Sequence, residues 1–179
     1  MRAAAVGSTS GADAVARLSP PPARQLLRDP RLLLAFGFGS GLAPWAPGTF
    51  GTAVAVPLYL LIAPLPLAAY LALAALVILA GPHLCGHAAR RLGVHDHPGI
   101  VWDEIAGFLI TMAAAPAGWP WVLAGFLLFR LFDIWKPWPI HLADRHVPGG
   151  FGIMLDDLIA GAYAWLALQA LQRLVTWYA

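Results

Sequence analysis

Two adjacent aspartates, Asp156 and Asp157 in MLDDLIAG, and a second acidic pair, Asp103 and Glu104 in WDEIAGF, stand beside apolar stretches of a chain that is 60% hydrophobic and only 11% charged. Asp133 in RLFDIWKP and Asp144 in LADRH complete a set that holds six of the nine acidic residues between positions 103 and 157. A carboxylate carried toward lipid costs roughly 2.5 kcal/mol or more, so something must compensate these groups. Carboxylates gathered from separate helix ends could hold one or two hard cations, because Mg²⁺ takes oxygen ligands and keeps room for water and substrate phosphate. Asp103, Glu104, Asp156 and Asp157 are the candidate ligands. Each acid alone has a plainer explanation, since the first turn of a helix favours an anion by about 0.3–1 kcal/mol. Two adjacent pairs plus Asp133 in so charge-poor a chain ask for more. Neighbours on a helix point about 100° apart, so one member of each pair could ligate while the other supports it.

Basic and small residues accompany the acids. Arg130 precedes Asp133 by three residues and Lys136 follows it by three, so the three share one helix face. They could pair with one another, or Arg130 and Lys136 could face a phosphate, and Pro137 stops the helix just beyond. The stretch GSGLAPWAPGTFGT sets the hydroxyls of Ser40, Thr49 and Thr52 among four glycines. Its backbone N–H groups could cradle a phosphate, with Ser40 and Thr49 as contacts; a Pro-Gly turn at a membrane surface is the alternative. It is not a P-loop, for no Gly-Lys-Ser/Thr follows. Gly149, Gly150 and Gly152 form a second glycine element ahead of Asp156. Among the histidines, His95 and His97 read as loop residues and His83 as interfacial, while His141 and His146, which flank Asp144, could be peripheral substrate contacts.

The elements that must position these groups are helices in a membrane. Mean hydropathy is +0.71, and between Arg31 and Arg90 there is no Asp, Glu, Lys or Arg, which a water-facing surface of that length does not allow. Five apolar stretches follow: 53–63, 67–84, 105–115, 121–129 and 158–177. Pro64 with Pro66, and Pro116 with Trp119 and Pro120, predict the turns of two helical hairpins. The expected fold is all-α, a multi-helical integral membrane bundle with helical hairpins. It occupies residues 31–179, behind a basic, flexible arm of residues 1–30. Arg2, Arg17, Arg24, Arg28 and Arg31 crowd that arm, which places it in the cytoplasm by the positive-inside rule. ARQLLRDPRLLL reads as a stretch lying at the membrane surface. Both hairpins then begin and end on the cytoplasmic side, and every acid from 96 onward falls there. A net charge of +2 gives no reason to expect nucleic acid, and the single Cys85 excludes an internal disulfide.

GSGLAPWAPGTFGT, WDEIAGF, FRLFDIWKPWPI with ADRHVPGG, and GGFGIMLDDLIAG, in this order, resemble the phosphatidylglycerophosphatase A family from about Phe36 to the carboxyl end. The resemblance implies a Mg²⁺-dependent enzyme of the bacterial inner membrane that hydrolyses phosphatidylglycerophosphate to phosphatidylglycerol, with its site facing the cytoplasm. The motif acids correspond to Asp103, Glu104, Asp133, Asp156 and Asp157, with Lys136 in the basic position and Asp144 in the loop beyond. The catalytic set implied is Asp133, Lys136, Asp156 and Asp157, with Ser40, Thr49, Arg130, Lys136 and Asp144 on the substrate. A small transporter or channel that uses the acids for ions is the competing class. It predicts acids at mid-membrane depth and an internal repeat, and the chain has no such repeat. The aspartate series of CDP-alcohol phosphotransferases and prenyltransferases are absent.

Overall fold

The computed structural model describes residues 19–138, 140 and 147–178, and every regular element among them is a helix. Two short helices come first, α1 (Ala23–Arg28) and α2 (Pro30–Ala35). Asp29 joins them: its carboxylate accepts the N–H groups of Arg31 and Leu32 at 3.1 and 3.3 Å, and Pro30 supplies the fixed φ that opens α2. Leu26 and Leu32 are fully buried, so this part of the basic segment is packed against the rest. A 3₁₀ segment over Gly37–Leu42 then turns the chain, with Phe38 and Gly39 in left-handed conformations (φ 58° and 100°).

The bundle proper is α3 (Pro47–Ile62), α4 (Leu67–Leu92), α5 (Trp102–Thr111), α6 (Trp119–Trp135) and α7 (Gly149–Tyr178). The five apolar stretches are thus five helices, and the proline clusters at 64–66 and 116–120 fall in or beside the two hairpin turns. Cross-helix bonds fix their directions. Tyr70 Oη donates to Leu109 O (2.6 Å) and Trp102 Nε1 to Val77 O (3.0 Å), so α4 and α5 are antiparallel. Gly81 abuts Met154 and Gly86 abuts Gly150, which sets α7 antiparallel to α4. Trp165 Nε1 donates to Ala113 O (2.9 Å) and Thr111 Oγ1 lies 3.4 Å from Gly161 O, so α5 and α7 run parallel. One end of the bundle therefore gathers the starts of α3, α5 and α7 with the finishes of α4 and α6.

Helix boundaries depart from the apolar stretches in two informative places. The helix α3 starts at Pro47, inside the segment read as a glycine-rich loop, and Thr52 Oγ1 is used within it, donating to Gly48 O at 2.9 Å. The helix α7 starts at Gly149, so Asp156 and Asp157 lie two turns inside it and not in the first turn. Its small residues serve contact: a Cβ on Gly150 would stand 2.5 Å from Gly86 N on α4. The dipole explanation consequently fails for Asp156 and Asp157, whereas Asp103 and Glu104 do occupy the first turn of α5.

By length and composition two helices can cross a membrane, α4 with a mean hydropathy of 2.0 and α7 with 1.4. At 26 residues and 1.5 Å per residue, α4 reaches roughly 39 Å, beyond a hydrocarbon core of about 30 Å.

Candidate functional site

The site begins where two helices come into backbone contact. A Cβ on Gly161 would stand 2.5 Å from Gly107 O, and one on Gly107 would stand 2.7 Å from Asp157 O, so only glycine permits this crossing of α5 and α7. Asp103 precedes Gly107 by four residues and Asp157 precedes Gly161 by four. Because the helices run parallel, one turn back from the crossing is the same direction on both. The acids therefore converge.

Asp103, Glu104 and Asp157 each present a carboxylate oxygen within 4.8 Å of the other two. Asp103 and Asp157 are only 7% and 4% exposed. Asp103 Oδ1 accepts the Glu104 N–H at 3.1 Å, while Asp157 Oδ1 and Glu104 Oε2 are buried with no hydrogen-bond partner. Buried carboxylate oxygens left without donors are costly, and a set of three repels itself. An all-oxygen group without His or Cys suits a hard divalent cation and not a zinc-type ion. The residues present fit such a cation.

Basic groups line the same end. Arg130 on α6 pairs through Nη1 with Asp133, one turn away, and reaches within 3.9 Å of Glu104 Oε1, while its buried Nε has no hydrogen-bond partner. Lys136 closes α6 in a left-handed conformation (φ 44°), with Pro137 following, and Nζ donates to Asp156 Oδ2 at 2.6 Å. Asp133 and Asp156 are in turn close neighbours of Asp157. Among the described residues five carboxylates thus share the region with two cations, an excess of three negative formal charges when all are ionised. Gly48, in the first turn of α3, completes the wall: a Cβ there would collide with Glu104 Oε1 and stand 3.1 Å from Arg130 Nη1.

Of the four residues expected to bind metal, the fold brings Asp103, Glu104 and Asp157 together and turns Asp156 toward Lys136. The two members of the Asp156–Asp157 pair face different partners, as adjacent helix positions must. Arg130 and Asp133 pair on one face as their spacing requires, and Lys136, the left-handed residue that closes the helix, reaches Asp156. Ser40 Oγ is buried with no hydrogen-bond partner, close to Gly37 and Val101, just ahead of Asp103. Thr49 follows Gly48 and is half-buried. Asp144, His141 and His146 lie outside the described residues. His95 and His97 are loop residues engaged with backbone: His95 Nε2 accepts from Gly149 N (3.1 Å) and His97 Nδ1 from Gly99 N (3.0 Å). Gly48 figures in the sequence reading only as one glycine of the stretch ahead of the first apolar helix, while Gly107 and Gly161 escape it. The acid-to-glycine spacing of four in both DEIAG and DLIAG was the signal available for the latter two.

An all-helical bundle with buried carboxylates, flanked by arginine and lysine at one end, defines a class of protein that can hold a cation and an anionic group side by side. The sequence model of the family described as phosphatidylglycerophosphatase A matches residues 33–172, and the chain belongs to that family. It is 50% identical over 139 residues to phosphatidylglycerophosphatase A of Escherichia coli, an alignment that covers 77% of this chain and 81% of that one. It is 47% identical over 148 residues to the protein of the same name from Haemophilus influenzae, covering 82% and 91%. A relative from Bacteroides thetaiotaomicron, named provisionally as a phosphatidylinositol-3-phosphatase, is 39% identical over 148 residues, covering 76% and 90%. No solved structure matches the chain. Family membership makes it an enzyme, a phosphoric monoester hydrolase.

Proposed function

We propose that the protein hydrolyses the terminal phosphate monoester of phosphatidylglycerophosphate, giving phosphatidylglycerol and phosphate, with Mg²⁺ as cofactor. The observation that carries this is the convergence of Asp103, Glu104 and Asp157, with two buried oxygens lacking donors, beside Arg130 and Lys136. Asp103, Glu104 and Asp157 would hold the ion, with Asp156 alongside. When bound, such an ion draws charge from phosphoryl oxygens and lowers the pKa of a coordinated water. Arg130, oriented by Asp133, directs guanidinium donors at charge that develops on the phosphoryl group. Lys136, held by Asp156, supplies a second positive charge. Asp133 is the proposed group that takes a proton from attacking water or acts as the nucleophile. A new P–O bond forms as the bond to the glycerol oxygen breaks, and over the whole hydrolysis water supplies both the oxygen gained by phosphorus and the proton taken up by the glycerol oxygen. Ser40, Thr49 and Asp144 complete the proposed substrate contacts.

The catalytic unit is residues 31–179, set in the bacterial inner membrane as a multi-pass bundle with the site toward the cytoplasm. The surface of α4 supports the membrane: only 22% of its most apolar window is buried inside the protein, unlike the core helix of a water-soluble fold. Arg90 and Arg91 finish α4 at the site end, as the positive-inside rule requires of a cytoplasmic face. Acids gathered at one end of the bundle also argue against an ion path through its middle.

The test is phosphate release by detergent-purified protein from phosphatidylglycerophosphate, with phosphatidylinositol 3-phosphate as a parallel substrate because of the Bacteroides relative. Release with Mg²⁺ and its loss in EDTA and in Asp157→Asn is expected. A folded wild-type protein inert toward every lipid phosphate and divalent ion tried would refute the assignment.

A further inference from the structure

Outside the site, α1 and the end of α4 flank an open hollow of ≈390 Å³ lined in part by Arg24, Arg28 and Arg91. This lies within the ~300–1,000 Å³ typical of small-ligand sites. Asp29 is the one carboxylate in its lining, and it is already engaged by His87 Nε2 at 2.8 Å and by two backbone N–H groups. Among the described residues no carboxylate pairs with Arg24, Arg28 or Arg91. Three exposed arginines therefore line one hollow with no carboxylate partner among the described residues, a setting that attracts a phosphate-type anion.

The surroundings indicate where that anion comes from. Arg91 sits in the last turn of the 26-residue apolar helix α4, where a membrane helix meets the headgroup layer. On α1, Leu26 is buried against the protein while Leu27, between the two arginines, is 75% exposed. A basic helix turn offering an exposed leucine beside its arginines has the make-up of a surface that rests on lipid. We propose that Arg24, Arg28 and Arg91 form an accessory site for the headgroup phosphate of an anionic phospholipid, separate from the catalytic carboxylates. The site rests on the membrane placement above and is independent of the reaction.

The full-length protein in detergent is titrated with dioctanoyl phosphatidylglycerol, dioctanoyl phosphatidylcholine or inorganic phosphate, and adducts are counted by native mass spectrometry. Near a membrane surface each basic residue is worth about fivefold in lipid affinity, so Arg24→Gln/Arg28→Gln/Arg91→Gln is expected to lose more than about tenfold, and one adduct, for phosphatidylglycerol. Phosphatidylcholine binding is expected to be unchanged. Replacement of the same residues by Lys keeps the charge and should keep most of the binding, and circular dichroism of both variants confirms that they fold. Equal phosphatidylglycerol binding by the folded Gln variant and wild type would overturn the site. Inorganic phosphate occupying it as tightly as the lipid would overturn the lipid assignment. Protein that takes up neither lipid would count against the membrane placement itself.

Discussion

The two ends of the bundle are built from the same helices by different physics. At one end the starts of α3 and α5, the finish of α6 and the second turn of α7 meet through charge: five carboxylates, an arginine and a lysine. At the other, Tyr59 packs edge-on against Tyr70 and Phe108 (centroids 6.2 Å apart in both pairs), and the Tyr70 hydroxyl is satisfied by Leu109 O. The distal end is stabilised by apolar burial, and its one charged side chain among the described residues, Arg173, is exposed. The site end gathers more carboxylates than basic groups around Asp157 among the described residues, an excess that a bound cation would offset. Stability and chemistry are thereby divided along the axis of one small protein.

The contrast can be broken most sharply at Asp157. Asp157→Asn should lower phosphate release by more than the ~10–100-fold usual for an outer-shell partner of a metal, while its melting temperature in EDTA stays at or above that of wild type, since like-charge repulsion is relieved. Next, Mg²⁺ should raise the wild-type melting temperature, by the equivalent of about 2.7 kcal/mol at a hundredfold excess over Kd, and EDTA should reverse it. The Asp157→Asn variant should show little of this rise. Gly161→Ala, which drives a methyl into Gly107, should cost ~1–3 kcal/mol and reduce activity as well, because it separates the helices that carry the acids. Tyr70→Phe at the distal end should cost about 1 kcal/mol in thermal unfolding and leave hydrolysis within about twofold of wild type. A large loss of activity there would dissolve the division between the ends.

The smallest effect concerns Asp29. The His87 hydrogen bond holds its carboxyl below the ordinary carboxylate range. Its folded pKa being depressed, the stabilisation is present above the unfolded value of ~3.9 and is lost as pH falls through the folded one. Asp29→Asn preserves the cap and removes the charge, so it should lower the melting temperature slightly at neutral pH, with a difference from wild type that shrinks on acidification below about pH 4.

The helices were legible because apolar runs and prolines report on burial and on backbone geometry directly. The acid cluster was legible because charge in such a chain is rare enough for each instance to need a reason. Glycine was harder, since the same residue breaks a helix or lets one pass close to another. Gly149, Gly150 and Gly152 read only as a glycine element ahead of Asp156 and form the first turn of α7, and Gly48, in a stretch read as a glycine-rich entry or a Pro-Gly turn, is in the first turn of α3. Contacts between residues far apart in the chain gave no local signal at all. Nothing near Asp29 points to His87, 58 positions away.

The repeated acid-to-glycine interval on α5 and α7 works as a pair of matched rulers. Each measures four residues from the closest backbone approach to a carboxylate, and the opening between Asp103 and Asp157 is right only while both rulers are the same length. One residue added to either would swing its acid by about 100° and shift it by about 1.5 Å without disturbing the helix itself. Such a protein would keep its helices, yet its jaws would no longer meet. Variation in this family should therefore run freely in side chains around the crossing and hardly ever in the count of residues between acid and glycine.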